Sequence, residues 1–229
     1  TGPVIIDAGG NSTAGTSGST LTVKNCINVN RIYANRTSNK TLGNTTITVD
    51  SCGGYGTAGV TIDPAGSGSV QKLTINVTDT TTTVDPTNRG DVSKISGNYV
   101  LNVTDSNIVF TTPTVSLTSY TATTNLYGNV VLTGTCTGRT SSSTTKGKAT
   151  LNVIGTVKTQ NDKEAYLVDF TEINISGELR LGNHANLKDS GFSYRYVRSN
   201  VTLSGNGKLI LERLGSAKDY RTIQSLKST

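Results

Sequence analysis

The sequence has no tryptophan, no methionine and a single histidine, and aromatic residues make up only 5% of it. Three cysteines form no even framework, and no C-x-x-C or His/Cys pair stands at metal spacing, so no metal site and no cofactor is expected. Acids are sparse, 15 in all, with none from Ser106 to Asn161. The paired carboxylates of a glycoside hydrolase and the clustered ones of a calcium site are not in evidence. No apolar run is long enough for a membrane span. Despite a net charge of +6, no block of Lys or Arg makes a nucleic-acid stripe. A chain of 229 residues without Met that starts at "TGPVIID" is expected to be a fragment or processed product.

What is present is Thr, Ser, Asn and Gly in quantity, with Val, Ile and Leu spaced two apart. That alternation is the mark of short strands burying one face, and it argues against an unfolded Ser/Thr-rich stalk. The hexamer "LTVKNC" at Leu21 returns as "ITVDSC" at Ile47, "LTINVT" at Leu73 and "LNVTDS" at Leu101. It continues as "VVLTGT" at Val130, "LNVIGT" at Leu151, "INISGE" at Ile173 and "VTLSGN" at Val201. The steps are 26, 26, 28, 29, 21, 22 and 28 residues, which is a solenoid period with variable insertions.

In each rung the first and third residues are apolar and point inward on a strand of period 2. The second column (Thr22, Thr48, Thr74, Asn102, Val131, Asn152, Asn174 and Thr202) points outward, where hydroxyls and amides can bond from coil to coil. Gly134, Gly155, Gly177 and Gly205 mark a corner that needs positive φ or a close backbone approach. A second short strand follows at "INV" 27–29, "NIVF" 107–110, "ELRL" 178–181 and "KLIL" 208–211. The only helix candidates are "DKEAYLVDF" at 162–170 and "SAKDYRTIQSLKS" at 216–228.

The stretches "GSTLTVKNCINV" and "SNVTLSGNGKLIL" resemble coils of the pectate-lyase-like right-handed parallel β-helix found in Gram-positive bacterial surface adhesins. The resemblance covers residues 4–213 in pattern. It implies an all-β, right-handed parallel β-helix of about eight coils, spanning 1–229 as one domain, with 214–229 as a C-terminal cap or linker. It also implies an extracellular protein, wall-attached through other parts of its parent chain. The expected function is a non-catalytic adhesive or stalk module, monomeric, binding an extracellular glycan or host surface protein. A polysaccharide lyase of the same fold is the alternative. An ice-binding solenoid ranks third, because its Thr ranks would need constant coil lengths.

Two segments are the candidate binding sites. His184, Lys188, Tyr194, Arg195, Tyr196 and Arg198 form the densest cationic and aromatic cluster, suited to stacking on sugars and pairing with carboxylate or sulfate. In the lyase alternative, His184, Tyr194 and Arg195 would carry the elimination. The second segment is the loop 137–148 with Arg139, Lys146 and Lys148, a basic insertion on a rigid scaffold. An Arg89-Gly90-Asp91 tripeptide and eight Asn-x-Ser/Thr sequons are weak signals in so Asn- and Thr-rich a chain. Cys26 and Cys52 fall at equal positions of successive rungs, so they are expected to stack, as reduced buried thiols or as a disulfide.

Overall fold

The computed structural model describes residues 2–9, 18–36, 41–64, 69–85, 95, 97–112, 121–138, 148–160, 167–168, 170–181, 197–198 and 202–211. Every named element is a strand, and every ladder is parallel. In chain order the first ten are β1 (Val4–Asp7), β2 (Ser19–Lys24), β3 (Val29–Tyr33), β4 (Thr41–Asp50), β5 (Val60–Asp63), β6 (Ser69–Thr78), β7 (Thr81–Val84), β8 (Tyr99–Thr104), β9 (Asn107–Phe110) and β10 (Thr121–Tyr127). They are followed by β11 (Asn129–Leu132), β12 (Cys136–Thr137), β13 (Lys148–Val153), β14 (Thr156–Thr159), β15 (Leu167–Val168), β16 (Glu172–Ile175), β17 (Glu178–Leu181), β18 (Val197–Arg198), β19 (Thr202–Ser204) and β20 (Lys208–Leu211).

These strands make a parallel β-solenoid. One sheet of eight strands runs β2-β4-β6-β8-β10-β13-β16-β19, and a second of nine runs β1-β3-β5-β7-β9-β11-β14-β17-β20. A short third sheet, β12-β15-β18, joins the later coils. Among the described residues there is no helix, hence none long and apolar enough to cross a membrane. The helix expected at 162–170 is overturned where it can be seen: Leu167 and Val168 pair with Cys136 and Thr137 in the third sheet. Residues 162–166 and 216–228 lie outside the described residues.

The interior is aliphatic columns stacked coil on coil. Ile47, Ile75, Leu101, Leu151 and Ile173 are aligned through successive ladders and fully buried, as are Val49, Val103, Leu126 and Val153. Each such side chain contributes about 1.5–3 kcal/mol on burial. Tyr99, the largest buried residue, aligns with Leu73 on one side and with the small Ala122 on the other. Phe110 and Phe170 meet edge to face, with centroids 6.2 Å apart.

Pairing corrects the register read from the sequence at three places. Ile47 pairs with Ile75, not Leu73, so that rung begins two residues later. "VVLTGT" at Val130 is β11 of the nine-stranded sheet, and the rung of that coil is β10, with Thr124 opposite Leu101 and Leu151. In the last coil Leu203 pairs with Ile173, again a shift of two from Val201. A slip of two keeps every apolar side chain on the inner face, so the hydrophobic pattern alone cannot detect it.

The corrected outward column is Thr22, Thr48, Asn76, Asn102, Asn125, Asn152, Asn174 and Ser204. Val131 and Thr74 leave it, and the five asparagines become consecutive. Their amides form one ladder. Asn102 donates to Asn76 at 2.8 Å, Asn125 to Asn102 at 2.8 Å, Asn152 to Asn125 at 2.7 Å and Asn174 to Asn152 at 2.9 Å. Asn76 caps one end by donating to the Thr48 hydroxyl at 3.3 Å, and the Ser204 hydroxyl donates to Asn174 at the other.

Candidate functional site

Most of the residues singled out in the sequence, namely His184, Lys188, Tyr194, Arg195, Tyr196, Arg139 and Lys146, lie outside the described residues. Arg198 lies in β18, where its backbone pairs with Val168. Lys148 opens β13 with its ammonium 2.6 Å from the Glu172 carboxylate. That hydrogen bond, against a smaller opposing cost of burial, holds the Glu172 carboxyl below the usual range. Lys148 therefore braces two coils. Among the described residues no three His, Cys, Asp or Glu side chains gather as a metal site.

Cys26 and Cys52 do stack at one corner, where the Gly53 amide donates to the Cys26 carbonyl at 2.8 Å. Both are free thiols. Cys52 is buried, but Cys26 is exposed, which corrects the expectation of two buried thiols. Cys26 follows β2, the end strand of the eight-stranded sheet, so among the described residues no further strand of that sheet covers it.

The corner between the eight- and nine-stranded sheets changes character along the solenoid. In the early coils its residues are Asn25, Ser51, Asp79 and Asp105, all left-handed with φ of 53, 53, 44 and 48°. Asn and Asp tolerate this region because their short polar side chains bond locally. Asp105 also bonds to the next coil, its Oδ1 accepting the Asn129 amide at 2.7 Å. From the next coil on the corner residue is glycine: Gly128, Gly155, Gly177 and Gly207. Gly128 and Gly207 take the aligned places given to Gly134 and Gly205 in the sequence reading, although Gly205 does show the expected positive φ of 106° and close approach, a Cβ there falling 2.1 Å from the Ile175 carbonyl oxygen.

Contact enforces glycine there. A Cβ on Gly155 would lie 2.1 Å from the Gly128 carbonyl oxygen, and one on Gly177 would lie 2.1 Å from that of Gly155. Those oxygens are held in place by the next coil, accepting the Thr156 and Glu178 amides at 2.7 and 2.9 Å.

Three of these corners, at Gly155, Gly177 and Gly207, floor a groove between two columns of residues, and the columns run on by register one coil earlier to Tyr127 and Asn129. One wall is the column Tyr127, Ile154, Ser176 and Asn206, and the other is Asn129, Thr156, Glu178 and Lys208. The part from Ile154 to Lys208 is a shallow depression of about 400 Å³ that stands open to solvent. Tyr127 and Ile154 are 37% and 43% exposed, an aromatic and an aliphatic face set side by side one coil apart. Opposite them, Glu178 is bonded to the Arg180 guanidinium, while Lys208 is exposed with no ion pair among the described residues.

Sequence reasoning missed this site because its walls are assigned by register. The signal was present as "LYGN", "VIGT", "ISGE" and "GNGK", each a glycine before the second strand. Chemically, the groove offers apolar surface, hydroxyl and amide groups, the Glu178 carboxylate bonded to Arg180, and the Lys208 ammonium, which has no ion pair among the described residues. No known family model, curated protein or solved structure matches the chain.

Proposed function

We propose that the chain is an adhesive or stalk module of a bacterial cell-surface protein, built as a right-handed helix of the pectate-lyase-like kind and working outside the cell. The observation that carries this reading is the glycine-floored corner groove, whose apolar and polar walls suit the two faces of a sugar ring. The scaffold favours the stalk role as well, since aliphatic columns and an amide ladder tie each coil to the next. In this reading the protein holds a glycan without transforming it.

Two assays test the proposal. On a glycan array the full chain is expected to retain one class of glycan and to lose it on Tyr127→Ala. Incubated with polygalacturonate, alginate and glycosaminoglycans, it is expected to generate no absorbance from unsaturated sugar products. Product formation that disappears in His184→Ala would replace the adhesive reading with the lyase one.

A further inference from the structure

The groove is electrically polarised along its length. At its early end stands Asp105, whose carboxylate lies so close to Gly128 that a Cβ there would be 2.2 Å from Oδ1. At its late end stands Lys208, paired in register with Glu178. The charge of Glu178 is already met by Arg180, so the Lys208 ammonium is the charge left for a ligand. Between the ends the walls carry one further charge, the Glu178 carboxylate bonded to Arg180, and are otherwise neutral, with Tyr127, Ile154, Thr156 and Ser176.

We infer that this groove selects a glycan carrying a single carboxylate, bound with the acidic sugar at Lys208 and a neutral sugar against Tyr127, and that it discriminates against polyuronates. The inference rests on the adhesive reading and adds the ligand's charge pattern to it. Charge complementarity supplies the argument. A lone carboxylate meets Lys208, whereas a polymer with one on every residue would also set a carboxylate beside Asp105, where like charges repel. Tyr127 and Ile154 offer the neutral sugar an apolar face, and the Thr156 and Ser176 hydroxyls can bond its edge.

The test compares three glycan sets of equal length on the full chain by array and calorimetry: neutral, capped by one terminal acidic sugar, and oligogalacturonate. The singly acidic set is expected to bind about tenfold tighter than the neutral one. Lys208→Met should erase that difference, and Asp105→Asn should raise affinity for oligogalacturonate selectively. Tighter binding of oligogalacturonate, equal binding of neutral and acidic sets, or an unchanged preference in Lys208→Met each overturns the inference and leaves the adhesive reading standing. Failure to retain any glycan overturns both.

Discussion

Asn125 occupies the middle of the amide ladder, donating to Asn102 at 2.8 Å and accepting from Asn152 at 2.7 Å. Replacing it with alanine removes both bonds and leaves one acceptor and one donor of its neighbours unmet. At about 0.5–1.5 kcal/mol net for each bond, the loss is about 1–3 kcal/mol, the half-buried position letting water recover part of it. For a chain of this size, ~2 kcal/mol corresponds to a fall in Tm of about 4–8 °C. Urea and thermal unfolding by circular dichroism measure the effect. Asn129→Ala is the control, because that side chain is exposed and its changes are expected within about 0.5 kcal/mol. Asn125→Asp is more informative still. An ionised carboxylate cannot donate to the Asn102 oxygen, so the folded state raises the pKa of the introduced group. Stability of that variant should then fall as pH rises from the unfolded pKa through the raised folded one, and recover in acid. If Asn125→Ala and Asn129→Ala lose stability equally, the ladder is not a structural member and the account of the outer face is wrong.

Other consequences follow from burial and pairing. Cys26 should react rapidly with a maleimide in the native protein, while Cys52 and Cys136 react only on unfolding, since burial also pushes the Cys136 thiol up to about 12; three equal rates would contradict the corner described. Tyr99→Phe should be neutral or stabilising by up to about 1 kcal/mol, because the Tyr99 hydroxyl is buried without a hydrogen-bond partner among the described residues. A clear loss in calorimetry would show that a partner exists. Glu172, with its pKa lowered by Lys148, stabilises the fold above the ordinary glutamate value of about 4.3, and that contribution is lost as pH falls through the folded pKa. Acid titration of Lys148→Met should show a shallower loss. Gly155→Ala should cost about 1–3 kcal/mol in urea melts, since its Cβ meets backbone rather than a movable side chain.

The solenoid was legible because inward Val, Ile and Leu recur every second residue and every rung presents them alike. Register was not legible. Leu73, Ile75 and Val77 all face inward, and only hydrogen-bonded pairing chooses Ile75 as the partner of Ile47. The fifth rung was hidden for a different reason: β10 places Thr124, 2% exposed, where every neighbour has Leu or Ile, so the apolar search passed on to Val130. These two effects together broke the asparagine column and displaced the glycine one. The groove could then be assembled only from the structure, since Tyr127 and Lys208 are 81 residues apart in sequence and share a corner through three coils of parallel pairing. The cluster around His184 shows the converse case, residues conspicuous in composition that fall outside the described residues.

A crystal structure of the chain soaked with a short glycan ending in one acidic sugar tests the central claim most directly. The account predicts density in the corner groove, with a neutral ring against Tyr127 and the carboxylate at the Lys208 ammonium. A glycan bound instead around His184, Tyr194 and Arg195, with the groove unchanged, would contradict it.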